Sequence, residues 1–217
     1  MADAAKSFKV VLLGEGAVGK TSLVRKFVEG AFSDDYITTI GVNVKKKIVG
    51  STTLMIWDIY GQKSRPELHM ANYRGAAGAF LVYDSTRKST FDNLETWLSD
   101  LFKVTGSVPV VVLGNKHDII KDFERDASVD VAASLPGKFD EYMLVRHAQV
   151  VDAYVKLYGS APKFEPVPLA NLVKWAGMGR NERGLKLQFF PTSAKTGENV
   201  EEAFGAMVKA LRGELDG

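Results

Sequence analysis

A glycine-rich stretch near the start of the chain constrains the fold more than any other feature. It reads Gly14-Glu15-Gly16-Ala17-Val18-Gly19-Lys20-Thr21 and fits the pattern G-x-x-x-x-G-K-[ST]. The apolar run at residues 8–13 predicts a buried strand before it, and apolar residues at helical spacing from Leu23 to Val28 predict a helix after it. Strand, glycine loop and helix are the context that this motif requires for phosphate binding. The alternative, a glycine-rich turn that merely resembles the motif, is the weaker interpretation because both flanking elements are in place.

The residue types of this loop suit a bound phosphate chain. Glycines allow backbone N–H groups to point inward at phosphate oxygens, at the positive end of the helix dipole. Lys20 supplies a point charge for the β- and γ-phosphates, and the hydroxyl of Thr21 is a ligand for Mg²⁺. The nucleotide-binding residues predicted here are Gly14, Glu15, Gly16, Ala17, Val18, Gly19, Lys20, Thr21 and Ser22.

Strands and helices alternate along most of the chain. Apolar segments at residues 78–84, 108–113 and 187–191 predict buried strands, and helical spacing predicts helices from Leu94 and from Val200. Residues 42–49 and 52–59 flank Gly50-Ser51, which is a hairpin signal. Residues 31–41 are predicted to be a loop and residues 63–76 a mobile segment. The predicted fold is α/β: a doubly wound, mostly parallel six-stranded sheet with one antiparallel edge strand, whose ligand site lies at the carboxyl ends of the strands.

Composition excludes several classes of function. The chain has no cysteine, which removes disulfides, thiol catalysis and cysteine-based zinc sites. A net charge of +2 gives no electrostatic case for nucleic-acid binding. No apolar run approaches the roughly 20 residues that span a bilayer, and the first residues lack a signal core. The histidines have no metal-binding spacing. We expect a cytoplasmic protein that partners can recruit to membranes.

Taken together, the motifs resemble the Ras-like small GTPases, with the Rab branch nearest. The resemblance covers residues 6–118 and 187–213. Asn115-Lys116-His117-Asp118 matches the family's N-K-x-D guanine motif, in which the carboxylate accepts two hydrogen bonds that adenine cannot supply. The Rab likeness rests on Ile40-Gly41-Val42-Asn43, Met55-Ile56-Trp57-Asp58 and Tyr73-Arg74-Gly75-Ala76.

The resemblance also implies how the base and the first switch are arranged. Ser193-Ala194-Lys195 matches the S-A-K loop, whose backbone N–H recognises the guanine carbonyl. Phe32 stands where an aromatic edge packs on the base, and Tyr36 where a tyrosine closes over the phosphates. Thr39 matches the threonine that ligates Mg²⁺ only when the γ-phosphate is present.

A second switch follows from the same resemblance. Asp58, Gly61 and Gln62 match its D-x-x-G-Q pattern. Asp58 is expected to hold Mg²⁺ through water, Gly61 to contact the γ-phosphate and Gln62 to orient the attacking water. Gln62 and Lys20 are therefore the predicted catalytic residues, and Thr21, Thr39 and Asp58 the predicted metal site.

The function implied is a Mg²⁺-dependent GTP/GDP switch that hydrolyses GTP slowly in membrane trafficking or related regulation. Effector, exchange and GTPase-activating proteins are expected to bind through residues 32–76, and the protein is expected to be a monomer. The alternative is a scaffold that holds GTP without hydrolysing it. Tyr60 favours that alternative, because the family has a small alanine beside the γ-phosphate contact.

Two further departures from the family pattern are present. The last residues lack the family's prenylated cysteines, so we expect either a truncated C-terminus or membrane recruitment through a partner. We predict one G domain over residues 1–217, in which residues 119–186 contain an enlarged helical insertion. Structural packing and partner binding are both open as roles for this insertion.

Overall fold

The structure is a computed structural model, and it describes residues 6–33, 41–59, 66–126 and 188–214. Strands and helices alternate through these ranges, as the sequence predicts. In chain order the elements are β1 (Lys6–Leu13), α1 (Lys20–Glu29), β2 (Val42–Val49), β3 (Thr52–Ile59), α2 (Pro66–Tyr73), β4 (Gly78–Asp84), α3 (Lys88–Asp92), α4 (Leu94–Thr105), β5 (Val110–Asn115), α5 (His117–Asp126), β6 (Gln188–Pro191) and α6 (Val200–Arg212).

The described strands form one six-stranded sheet in the order β2-β3-β1-β4-β5-β6. Only the pairing of β2 with β3 is antiparallel within this sheet; the other four pairings are parallel. The predicted fold class, with its antiparallel edge strand, is confirmed. Because β1 lies between β3 and β4, the loop after β1 emerges beside the carboxyl ends of both neighbours, where open α/β sheets bind ligands.

Alternate residues of the central strands enter two hydrophobic clusters, one on each face of the sheet. Val10 and Leu12 of β1 belong to the cluster that contains Phe27 of α1 and Phe204 of α6. Val11 and Leu13 belong to the other cluster, with residues of α2 and α4. The two phenylalanine rings stack with centroids 3.9 Å apart. Since both faces are covered, the strands are near-continuous apolar runs, as in parallel sheets generally.

Local structure differs from the sequence prediction at three places. Part of the segment predicted as mobile is helix α2, in which Pro66 takes a first-turn position where its missing N–H costs nothing. Tyr73 anchors the end of this helix and is 1% exposed. Strand β5 continues to Asn115, and helix α5 begins at His117, so Asp118 lies in a first helical turn. Helix α3 has only five residues, too few to give a periodic signal.

Several predictions fall outside the described residues. They concern Tyr36 and Thr39 of the first switch, Tyr60 to Gln62 of the second, and the helices expected between residues 127 and 187. Among the described helices, none is long and apolar enough to cross a membrane.

Candidate functional site

The loop between β1 and α1 adopts a conformation that requires glycine at two positions. Gly14 has φ +140°, and a Cβ there would lie 2.1 Å from the carbonyl oxygen of Val82 in the neighbouring strand. Gly19 has φ +92°, and a Cβ there would lie 2.3 Å from Nδ2 of Asn115. Both φ values favour glycine and both spaces are already filled by other atoms. The loop is therefore pressed against β4 and β5 at the carboxyl edge of the sheet.

Lys20 lies inside this loop, on the first turn of α1. Its side chain is buried, and Nζ donates hydrogen bonds to the carbonyl oxygens of Gly14 and Glu15, both at 2.8 Å. Burial lowers the pKa of Lys20 to about 8, against the opposing influence of the carboxylates of Asp58 and Glu15. An anion bound in this loop would therefore stabilise the charged form of Lys20, since each negative charge nearby favours the protonated ammonium.

Thr21 and Asp58 meet beside Lys20. The Thr21 hydroxyl donates to Oδ2 of Asp58 at 2.5 Å, joining the start of α1 to the end of β3. Asp58 is 1% exposed, and its Oδ1 has no hydrogen-bond partner among the described residues. Burial raises the pKa of Asp58, and the Thr21 hydroxyl and Lys20 oppose that rise. A buried carboxylate oxygen without a donor, next to a hydroxyl, is an arrangement that suits a hard cation or its bound water.

This oxygen pair does not make a complete metal site alone. In the described parts of the chain, no cluster of three or more histidine or carboxylate side chains could hold a metal ion. Phosphate-bound Mg²⁺ is held by few protein oxygens together with waters and phosphate oxygens, and a hydroxyl beside a buried carboxylate, as at Thr21 and Asp58, has the oxygen donors that such a site uses.

Asn115 joins the loop between β1 and α1 (residues 14–19, the phosphate-type loop) to the segment after β6. Its Nδ2 donates to the carbonyl oxygen of Val18 at 2.9 Å, and its Oδ1 accepts from the backbone N–H of Ala194 at 3.1 Å. The side chain is 2% exposed. One amide thus satisfies a buried acceptor in one loop and a buried donor in another, and fixes the spacing between them.

The two predicted guanine segments lie side by side. Backbone bonds extend the β5–β6 pairing beyond the strands: Thr192 N–H donates to Gly114 O at 2.8 Å, and His117 N–H donates to Thr192 O at 3.0 Å. Asp118 is half-buried in the first turn of α5. Ser193 and Ala194 are buried, whereas Lys195 is exposed. The structure therefore brings the N-K-x-D and S-A-K segments together beside the phosphate-type loop.

Asp84 and Arg87 also reach this site, although sequence reasoning did not single them out. Oδ2 of Asp84 accepts from Lys116 Nζ at 2.7 Å and from Arg87 Nε at 2.9 Å. Arg87 also donates through Nη2 to the carbonyl oxygen of Gly16 at 3.0 Å. Burial raises the pKa of Asp84, but hydrogen bonds from Lys116 and Thr86 outweigh burial and lower it below its usual value. The signal available in the sequence was an Asp at the end of a buried strand, the same signal that picked out Asp58.

Three further residues predicted to bind the nucleotide, Glu15, Ser22 and Phe32, lie in the described segments. Glu15 accepts a hydrogen bond at 3.3 Å from the indole N–H of Trp97, a buried residue of α4. Ser22 is half-buried on α1. Phe32 is partly buried and packs against the hydrophobic cluster that contains Phe27. The structure thus gathers Lys20, Thr21, Asp58 and the two guanine-type segments at one edge of the sheet.

Comparison with known proteins agrees with this geometry. A family model described as the Ras family matches residues 9–213. The chain is 43% identical over 138 residues to the Ras-related protein Rab-21 of Mus musculus, a match that covers 61% of each chain. It is 44% identical over 120 residues to RABA1c of Arabidopsis thaliana, covering 52% of this chain and 54% of that protein. It is 31% identical over 214 residues to Rab-1 of Theileria annulata, covering 96% of this chain and 76% of that protein.

The extent of these matches differs. The match to Rab-21 spans about three fifths of that protein's length, whereas the match to Rab-1 and the family model both run through almost the whole chain, across the segment between Asp118 and Ser193. The chain belongs to the Ras family of small GTPases, near its Rab branch.

Proposed function

We propose that this protein is a guanine-nucleotide switch that binds GTP and GDP with Mg²⁺ and hydrolyses GTP slowly, acting in membrane trafficking or related regulation. The observation that carries the proposal is the double link made by Asn115. Its two hydrogen bonds, 2.9 and 3.1 Å long, join the loop of Lys20 to the segment of Ala194, so the segments predicted to bind phosphate and guanine are adjacent. The Rab names of several relatives support the trafficking role.

In this proposal each part of the site has one task. The backbone N–H groups of residues 14–19 and the ammonium of Lys20 bind the phosphates and stabilise charge on the transferring phosphoryl group. The Asp118 carboxylate accepts from the guanine ring N–H and exocyclic amine, and the segment from Ser193 to Lys195 binds the guanine carbonyl. Gln62 orients the attacking water.

Mg²⁺ would be held by the Thr21 hydroxyl, by Thr39 and, through water, by Asp58. When bound, it supplies charge neutralisation of the β- and γ-phosphates. The support for this assignment is Oδ1 of Asp58, which is buried beside Thr21, has no hydrogen-bond partner in the described part of the chain and would be satisfied by a metal-bound water.

The switch segments give the protein its regulatory output. Thr39 and Gly61 hold the two switches only while the γ-phosphate is bound, and effector, exchange and GTPase-activating proteins, which bind through residues 32–76, distinguish the two states. The chain is proposed to act as one G domain, monomeric, with residues 119–186 as an enlarged insertion. Partners are proposed to recruit it to membranes.

A second candidate is a scaffold that keeps GTP bound and does not hydrolyse it. The observation that favours it is Tyr60, which stands where the family has a small alanine. Gly16 argues for hydrolysis, because a Cβ at that position would have no described atom within 4 Å, so this part of the loop leaves room for a water-orienting group to approach.

The test is to identify the nucleotide that co-purifies with the protein. The full chain is purified in Mg²⁺, denatured at intervals over several hours, and the released nucleotide is separated by anion-exchange chromatography. The proposed switch predicts guanine nucleotide with GTP converted slowly to GDP. A constant amount of GTP over the whole period supports the scaffold, and adenine nucleotide or none in an exchange-competent preparation contradicts both.

A further inference from the structure

The carboxylate of Asp84 is shared by two cations that come from different segments. Lys116 follows β5 in the guanine-type motif, and Arg87 lies between β4 and α3. Both donate to the same oxygen, Oδ2, at 2.7 and 2.9 Å. The other oxygen, Oδ1, accepts from the backbone N–H and the hydroxyl of Thr86 at 3.0 and 2.6 Å. Both oxygens of a carboxylate that is 1% exposed are therefore fully engaged.

Arg87 extends this cluster to the phosphate-type loop. Its guanidinium uses Nε for Asp84 and Nη2 for the carbonyl oxygen of Gly16 at 3.0 Å. A planar guanidinium can serve two acceptors in fixed directions at once, whereas a lysine ammonium is a point charge on a flexible stem. The backbone of Arg87 is held as well, because its carbonyl oxygen accepts from the Thr90 hydroxyl at 2.7 Å.

We propose that Asp84 is a positioning residue that couples the guanine-type motif to the phosphate-type loop, through Lys116 on one side and through Arg87 and Gly16 on the other, and that this coupling slows nucleotide release. The inference rests on the proposed function. It differs from the link made by Asn115, because it runs through the end of β4 instead of β5 and reaches the carbonyl oxygen of Gly16 instead of that of Val18.

The charge balance of the cluster points the same way. Two cations share one carboxylate, so the group carries a net positive charge beside the loop predicted to bind phosphates. Removing the carboxylate leaves Lys116 and Arg87 in mutual repulsion and frees both from their fixed positions. The loop and the guanine-type motif then move independently on that side, and a nucleotide held by both is released sooner.

The experiment measures the release of radiolabelled GDP from the full chain after addition of excess unlabelled GDP. We expect Asp84→Asn to release GDP about tenfold faster or more, the size that loss of one charge-assisted hydrogen bond gives. Arg87→Gln is expected to accelerate release, and the double variant to release no faster than Asp84→Asn alone, since Arg87 acts through the same carboxylate. A double variant whose effect equals the product of the two single effects overturns the shared role.

Arg87→Lys separates the bridging geometry from charge alone. It keeps the charge but replaces the two nitrogens that Arg87 uses, Nε for Asp84 and Nη2 for Gly16, by one nitrogen on a flexible stem, so we expect release as fast as in Arg87→Gln, with GDP association and the apparent melting temperature close to those of the parent. Release at the parent rate overturns the bridging role. Because Arg87 is more than one-third exposed, this variant keeps the proposal testable even if Asp84→Asn does not fold.

A matched control is Asp92→Asn, which removes an exposed carboxylate paired with Lys88 one helical turn away. It is expected to leave GDP release unchanged. If the parent protein binds no GDP, the proposed function fails. If the parent binds GDP and the three single variants, Asp84→Asn, Arg87→Gln and Arg87→Lys, release it at the parent rate, the coupling inference fails alone.

Discussion

Substitution of Asn115 tests how the two halves of the site are held together. Asn115→Ala removes the Nδ2 bond to Val18 O and the Oδ1 bond from Ala194 N–H, which are 2.9 and 3.1 Å long. Each buried polar group that is left without a hydrogen-bond partner costs about 1–3 kcal/mol of free energy, so the arrangement of the two loops loses about 2–6 kcal/mol of stabilisation. The nucleotide has to hold in place two loops that the protein no longer joins, so we expect GDP affinity to fall by at least about thirtyfold.

Asn115→Asp removes one of these two hydrogen bonds and keeps the other. The second oxygen replaces the amide and cannot donate to the Val18 carbonyl, but Oδ1 still accepts from Ala194. We expect it to lose a large part of the affinity that Asn115→Ala loses. A matched control is Asn93→Ala, since Asn93 is exposed at the start of α4 and makes no side-chain capping bond.

The assay is isothermal titration calorimetry with GDP and Mg²⁺ on nucleotide-free protein, with circular dichroism to verify that each variant is folded. The reasoning is refuted if folded Asn115→Ala binds GDP within about threefold of the parent, because the two hydrogen bonds of Asn115 cannot then be positioning the segments that bind the ligand.

Three further predictions concern other parts of the site. Asp118→Asn removes an acceptor of two guanine donors and should shift preference from GTP toward xanthosine triphosphate in competition binding; an unchanged preference argues against its base-reading role. The pKa of Lys20 is lowered to about 8 from 10.5, so between these values the unfolded chain holds a proton that the folded chain has lost. The free energy of unfolding of the nucleotide-free protein should therefore rise with pH through this window, whereas GDP affinity should fall because phosphates favour the charged ammonium form of Lys20. Urea unfolding and calorimetry with GDP, each at about pH 7 and about pH 9, check the two signs. Lys20→Met should remove both pH dependences. Tyr60→Ala should speed single-turnover GTP hydrolysis with little change in affinity, because misplacement of the water-orienting Gln62 by about 1 Å can cost on the order of a hundredfold; equal or slower hydrolysis would mean that the ring is harmless or helpful.

The sequence predicts those parts of the fold that depend on local pattern. The buried strands, the helix after the glycine loop and the hairpin at Gly50 all follow from periodicity and turn chemistry, and the structure contains them. The meeting of Thr21 with Asp58 could also be anticipated, since Thr21 begins the helix that follows β1 and Asp58 lies near the carboxyl end of β3, the parallel neighbour of β1.

Contacts between segments that are distant in the sequence could not be predicted from local patterns. The Asn115 motif indicates base recognition, yet in the structure this side chain links residues 97 and 79 positions away, which no local pattern specifies. The bridge from Arg87 to Gly16 spans 71 positions and depends on the register of β4 beside β1. Helix α2 escaped prediction because its apolar residues do not lie on one face at helical spacing, so its place is fixed by tertiary packing of Tyr73 and Met70.

The central claim is that this edge of the sheet binds guanine nucleotides selectively. Competition of unlabelled GTP, GDP and ATP against radiolabelled GDP on the full chain, in Mg²⁺, tests it most directly. Because a site built to hydrogen-bond particular groups rejects a base that lacks them, we predict that GTP and GDP compete at least about a hundredfold better than ATP. Competition by ATP at concentrations comparable to GTP would contradict the account.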